Sequence, residues 1–330
     1  MKHEGTSTAA LATRQTEARL GSRSRNARSP KNRNTFNTCI HNLWIMCILF
    51  LHTQTSSTAG RFRLILAANR DEYYIRPALP IHFWKEDETV IGGRDLEPGK
   101  EGGTWLALSA KNGKLGALLN IMMPGGEHPP HLLGRGSLVA NFVRNNVSCS
   151  KYLQEVAGNG ANYRPFNLLT LHLRKNDADM YVYSNVGSQG EPIKITENCF
   201  GISNSEFNTP FLKVTAGTER FKQIVQNYGD ITNKDSLINE LHIFLQWKES
   251  HFPDPVLTES APQVTPEFLL PLSSVFVKNM NRSYGTRAHS IILMDDEGHT
   301  DFYEWSMKCP IEATNPVWEY NHLTCQVQLQ

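Results

Sequence analysis

Met46 and Cys47 stand side by side, and that pair could do chemistry. A chain starting at Met46 would lose the methionine, because cysteine is small enough for aminopeptidase trimming. Cys47 would then be first, with its thiol and a free α-amine on one residue. Such an amine titrates at about 8, so it can take the thiol proton directly or through a water, as histidine does in other nucleophilic sites. With residues 1–45 attached, the Cys47 nitrogen is an amide. Catalysis then needs a start at Met46 or cleavage between Met46 and Cys47. Taken alone, the dipeptide is a weak signal and favours a buried structural cysteine.

Other constellations are less productive. GGRDLEPGKEGGTW contains Gly99-Lys100, but Glu101 follows where a phosphate-binding P-loop needs Ser or Thr, and the glycine spacing differs. It reads as loop and turn. Glu127-His-Pro-Pro-His offers His128 and His131 for a metal or a weak axial haem contact; the two prolines favour an extended surface loop. The six cysteines (Cys39, Cys47, Cys149, Cys199, Cys309 and Cys325) form no CxxC pair, so no metal site is expected. They are too sparse to demand a disulfide framework, and the chain reads as intracellular and reduced.

The elements that must position Cys47 follow from local pattern. The apolar run LWIMCILFL (43–51) is too short to span a bilayer and reads as a buried strand. RLILAA (63–68) is a second strand, ending at the polar cluster NRDE. TWLALSA and KLGALLN flank Asn112-Gly113, which suits a hairpin turn. Gly134-Arg-Gly opens a helix over SLVANFVRNN. FNLLTLHL and MYVYSN are strands around the turn KNDAD, and CFGISNS follows. One helix is expected over 209–226 and another over DSLINELHIFLQWK, where Leu237, Ile238, Leu241, Phe244 and Leu245 share a side. Residues 248–285 look loop-like. AHSIILMDDEGHTDFYEWSM is a hairpin around Asp296-Glu-Gly, and VWEYNHLTCQVQL a terminal strand. Strands at both ends with helices between them define an α+β fold with antiparallel hairpins.

The chain has 330 residues, 33 basic against 32 acidic, with 40% apolar and 20% charged side chains. That is ordinary globular composition. Residues 1–45 hold eight basic and two acidic side chains, leaving 25 against 30 for the remainder. The expectation is a disordered basic extension over 1–45 and a single domain over 46–330. The tail is Arg- and Ser-rich like a mitochondrial presequence, but Leu11 and Leu20 are too few for an amphipathic helix; an early-assigned start is the other reading. The charge balance disfavours nucleic acid as a partner, and no transmembrane segment is expected.

Several segments together carry a resemblance: MCILF, LILAANRDEYYIRP, GGTWLALS, LLNIMMP, GRGSLV, FGISNS and YGTRAHSIILMDDEGH. In this order they are similar to the Transport and Golgi organisation 2 family, also called the NRDE-domain family, from Met46 nearly to the C-terminus. The resemblance implies a four-layer α/β/β/α sandwich of the N-terminal-nucleophile hydrolase type, distantly similar to bile-salt hydrolases and penicillin acylases. It implies Cys47 as nucleophile and Asn69, Arg70 and Asp71 where those enzymes support the thiol, in a different order. It implies Asn120 and Asn204 as oxyanion-hole donors and Arg287 as a cation near the sulfur. With Glu72, the NRDE residues Asn69, Arg70 and Asp71 would also bind ligand. Each has a structural reading too: strand-end pins, turn asparagines, an ion-pair arginine.

The resemblance further implies Golgi organisation, protein secretion, and haem or acyl-CoA and lipid handling. Its members are placed in cytoplasm, mitochondria and Golgi. The leading expectation is a trafficking factor on a hydrolase-type scaffold, with haem or acyl-CoA as cargo beside Cys47. The alternative is a cysteine amidase or thioesterase. A third reading is a structural scaffold of the secretory pathway. Enzymatic activity is left open, and no resident cofactor is expected.

Overall fold

The computed structural model describes residues 46–54, 60–123, 132–187 and 190–329. The basic extension, Glu127, His128 and His131 lie outside the described residues.

The described strands form two seven-stranded sheets in which every pairing is antiparallel. The first contains β1 (Ile48–Thr53), β2 (Leu64–Tyr73), β10 (Cys199–Ile202), β11 (Lys278–Asn279), β12 (Tyr284–Met294), β13 (His299–Met307) and β14 (Trp318–Gln326). Its order is β10-β1-β2-β12-β13-β14, with β11 on β12. The second is a meander in chain order: β3 (Ala78–Trp84), β4 (Asp87–Asp95), β5 (Leu106–Ser109), β6 (Lys114–Asn120), β7 (Phe166–Arg174), β8 (Asp177–Ser184) and β9 (Ile193–Lys194). Helices α1 (Gly136–Arg144) and α2 (Cys149–Ala157) precede β7. Helices α3 (Leu212–Tyr228), α4 (Lys234–Leu245), α5 (Pro255–Ser260) and α6 (Pro266–Leu269) follow β10.

Three apolar cores separate these layers. Successive strand side chains point to opposite faces. Cys47, Leu49 and Leu51 therefore join Leu66, Leu108, Leu119 and Leu171 between the sheets. Met46, Ile48 and Phe50 face the other way, onto Phe221, Leu241 and Phe244 of α3 and α4. Helices α1 and α2 cover the outer face of the second sheet through Leu138, Phe142 and Leu153. The order through the molecule is helix, sheet, sheet, helix.

The expected hairpins form: β5–β6 around Gly113 (φ 66°), β7–β8, and β12–β13. Four expectations need correction. Strand β2 does not stop at NRDE but runs on to Tyr73, because β12 pairs along its whole length from Met294↔Leu64 to Tyr284↔Tyr73. The GGRD of the glycine-rich segment ends strand β4 and is not loop, since β3 pairs with it from Gly92 to Asp95 and β5 meets it at Gly92. The helix expected over 209–226 runs from Leu212 to Tyr228. Residues 248–285 hold α5, α6, β11 and the start of β12; the two helices open at Pro255 and Pro266, where a proline costs no hydrogen bond. No helix among the described residues is long and apolar enough to cross a membrane.

Candidate functional site

A cavity of about 790 Å³ opens against the sheets and the start of α1. Cys47, immediately before β1, reaches it because alternation turns its side chain inward; Cys47 is only 5% exposed. The thiol lies 3.7 Å from the Asp71 carbonyl, to which it can donate. Burial pushes it up to about 12, the charge of Asp71 adds to this, and the Asp71 main-chain bond and Arg70 only partly oppose it. At neutral pH Cys47 is therefore a thiol, not a thiolate.

The main chain of Cys47 is clamped. Its nitrogen donates to Asn204 Oδ1 at 2.6 Å, and its carbonyl accepts from the Ser203 hydroxyl at 2.6 Å. Asn204 Nδ2 in turn donates to the Asn120 carbonyl at 2.5 Å. Asn204 is wholly buried, whereas Asn120 closes β6 and lines the cavity. The two asparagines, distant in sequence, thus meet at the cysteine. Met46 is buried among α3 and α4 side chains, with its nitrogen donating to the Tyr284 hydroxyl.

The NRDE residues divide by strand alternation. Asn69 faces the helices: its Nδ2 donates to the carbonyls of Leu245 (2.8 Å) and Val275 (2.9 Å), and its Oδ1 lies 2.6 Å from His289 Nδ1. It does not line the cavity. Arg70 and Glu72 point the other way and do. Glu72 is tied to the Tyr73 nitrogen (2.9 Å) and to Arg76 (3.5 Å). Arg70 makes no hydrogen bond or ion pair among the described residues, and its charge acts on Cys47, Arg287 and Glu304.

Asp71 borders the cavity, but its carboxylate turns toward the helices. Oδ1 accepts from Thr286 Oγ1 at 2.6 Å, while Oδ2 has no hydrogen-bond partner among the described residues. Near it is Lys213, wholly buried in the first turn of α3, whose Nζ also has no hydrogen-bond partner among them. Burial raises the carboxyl and lowers the lysine, and each charge opposes that effect on the other. This matches the cost of taking an ion out of water without bonding it fully.

Arg287 occupies a β-bulge: the β12–β2 register shifts between Thr286 and Ala288. The extra residue breaks alternation, so Arg287 and Ala288 both border the cavity. The Arg287 guanidinium donates to the carbonyls of Tyr73 (3.1 Å) and Arg76 (2.5 Å) and to Cys309 Sγ (3.1 Å), not to Cys47.

Two residues were missed by sequence reasoning. Lys213 falls in line with Gly217, Phe221 and Ile224 at helical spacing, a lysine on a buried face. Glu304 alternates in phase with Thr300 and the inward Phe302. Glu304 accepts from the Ile81 nitrogen at 3.0 Å; burial pushes it up to about 7, against the pull of Arg70 and Arg287. Among the described residues, no three His, Cys, Asp or Glu side chains could jointly hold a metal ion.

Comparison with known proteins covers the same stretch that builds this site. The model of the family described as Transport and Golgi organisation 2 matches residues 46–309. The mouse Transport and Golgi organization 2 homolog is 35% identical over 277 residues, 84% of this chain and 97% of its own. The human homolog is 36% identical over 263 residues (79% and 93%), and the Drosophila melanogaster protein 35% over 269 residues (79% and 92%). Relatives this similar, matched over nearly their whole length, and a family model that begins at Met46 establish that the chain belongs to the Transport and Golgi organisation 2 family.

Proposed function

We propose that this chain is an intracellular trafficking factor that holds an anionic amphiphile, haem or an acyl-CoA, in the cavity beside Cys47. One observation carries the reading. The cavity combines apolar wall (Leu79, Trp105, Leu118 and Met307) with Arg70, whose guanidinium has no hydrogen bond or ion pair among the described residues. Apolar surface next to such a cation suits a ligand with a hydrocarbon or macrocyclic body and an acidic end. The names of the relatives, transport and Golgi organisation, support a trafficking role with Golgi association.

Titration of the full chain with haemin and with palmitoyl-CoA, followed by calorimetry, tests it. The expected result is saturable binding that Arg70→Gln weakens roughly tenfold or more, the worth of one charge-assisted hydrogen bond. No saturable binding of either ligand would reject the reading.

A second reading is favoured by the clamp on the Cys47 nitrogen and by the helix, sheet, sheet, helix order: a cysteine amidase or thioesterase on an N-terminal-nucleophile scaffold. Hydrolysis of the Met46–Cys47 bond would convert that nitrogen into an amine already held by Asn204 Oδ1. The amine would take the thiol proton as sulfur attacks a carbonyl, and Asn120 would donate to the oxyanion. Intact mass spectrometry of the protein from its native cell reads out both requirements: Cys47 as first residue, and an acyl adduct absent from Cys47→Ala.

A further inference from the structure

The wall of the cavity around the start of α1 carries charge that the site at Cys47 does not use. Three segments meet there. The loop after β4 bears Lys100 and is pressed onto α1. The Thr104 nitrogen donates to the Gly136 carbonyl at 3.1 Å, and a Cβ on Gly136 would stand 2.8 Å from the Gly103 Cα. Arg135, just before α1, donates to the Pro165 carbonyl at 2.6 Å. That bond draws in the segment before β7, with Arg164 next to Pro165.

Lys100, Arg135 and Arg164 all line the cavity. Among the described residues, no carboxylate pairs with any of them, and the Pro165 carbonyl is the one hydrogen-bond acceptor their side chains meet. The nearby carboxylates Glu72 and Asp95 are engaged by Arg76 at 3.5 and 2.5 Å. Glu97 and Asp95 favour the charge of Lys100 from one side, and Glu72 that of Arg135. Burial disfavours the charge of Arg135, with Arg164 and Arg76 next; burial, then Arg76 and Arg164, does the same for Lys100. These cations stand in one another's field, partly withdrawn from water, with no ion pair among the described residues. The start of α1 adds to this. It has no side-chain cap and no acidic residue in its first turn, and Gly136 and Ser137 border the cavity.

We infer that Lys100, Arg135, Arg164 and the N-terminus of α1 form a subsite for a phosphate-ester or pyrophosphate group on the amphiphile. The inference rests on the amphiphile reading for what the rest of the ligand does. Two sources share this chemistry, the nucleotide phosphates of an acyl carrier and the headgroup of a phospholipid.

The test is calorimetry on the full chain with three probes: adenosine 3′,5′-bisphosphate for the nucleotide source, lysophosphatidate for the lipid source, and S-palmitoyl-pantetheine, which has no phosphate. Arg135→Gln/Arg164→Gln should lower affinity for a phosphate-bearing probe roughly tenfold or more, and flatten its salt dependence. Palmitoyl-pantetheine should change less than about twofold, since it makes none of these charge-assisted bonds. Lys100→Gln, on an exposed loop, should give a smaller loss in the same direction and guards against misfolding of the double variant. Whichever phosphate probe binds identifies the source. Equal losses for all probes, or no binding of either phosphate probe, would overturn the subsite. Phosphate binding that the variants weaken, with no binding of palmitoyl-pantetheine, would retain the subsite and reject the amphiphile.

Discussion

Burial should keep Cys47 of the uncleaved chain protonated, and alkylation kinetics measure it. The thiol is pushed from its ordinary 9.0 up to about 12, with burial as the first cause and Asp71 the second. Three pH units cut the thiolate population at neutral pH about a thousandfold, and iodoacetamide reacts with thiolate. A short unstructured cysteine peptide serves as the reference. At pH 7.5 Cys47 of the full chain should alkylate about a thousandfold more slowly than that peptide, read by peptide mass spectrometry. Limited access would also slow the reaction, so the pH profile is the sharper test. Because deprotonation lies above the accessible range, the Cys47 rate should climb about tenfold per pH unit to beyond pH 10 without a plateau. Asp71→Asn removes the second cause and should speed the reaction a few-fold while leaving it slow. A plateau below pH 9, or a Cys47 rate within about tenfold of the reference peptide at pH 7.5, would refute the argument that burial keeps this sulfur protonated.

The buried Asp71 and Lys213 should be energetically coupled. Lys213→Met strands the carboxyl and is expected to cost up to about 3–5 kcal/mol in guanidinium unfolding, while Asp71→Asn/Lys213→Met should cost clearly less than the two singles combined. Additivity within about 0.5 kcal/mol would mean the pair does not interact. Gly217 sits in α3, where alanine would ordinarily add about 1 kcal/mol of helix stability. Its Cβ would lie 2.4 Å from Phe50 Cζ, so Gly217→Ala should instead lose about 1–3 kcal/mol, and a raised melting temperature would contradict that packing.

Much of the scaffold was legible because local pattern and tertiary role coincide there. Cys47, Leu49 and Leu51 alternate with Met46, Ile48 and Phe50, and each set fills a different core. The β5–β6 hairpin follows from Asn112-Gly113 and two apolar runs. Where the pattern was polar, reading failed. NRDE looked like the end of a strand, yet β12 supplies a full set of main-chain partners, so β2 continues through four polar residues. Strands β3 and β4 went unnoticed as strands because Gly92 and Gly93 suggest a turn; Gly92 is instead required by contact, since a Cβ there would meet the Leu106 carbonyl at 2.6 Å.

By itself the sequence determined the α+β class, most strands and helices, the placing of Cys47 at the head of a buried strand, and the kinship. These rest on periodicities and motifs a few residues long. Only the tertiary structure decided what the polar residues do. It turned Asn69 away from the cavity and set Arg70 along its wall with no hydrogen-bond partner among the described residues. It bulged β12 so that Arg287 lines the wall, and it buried Lys213 beside Asp71 and Glu304 beside Arg70 and Arg287. A side chain's charge and partners depend on the water it loses and on groups brought to it from far along the chain. Neither quantity is written in its immediate neighbours.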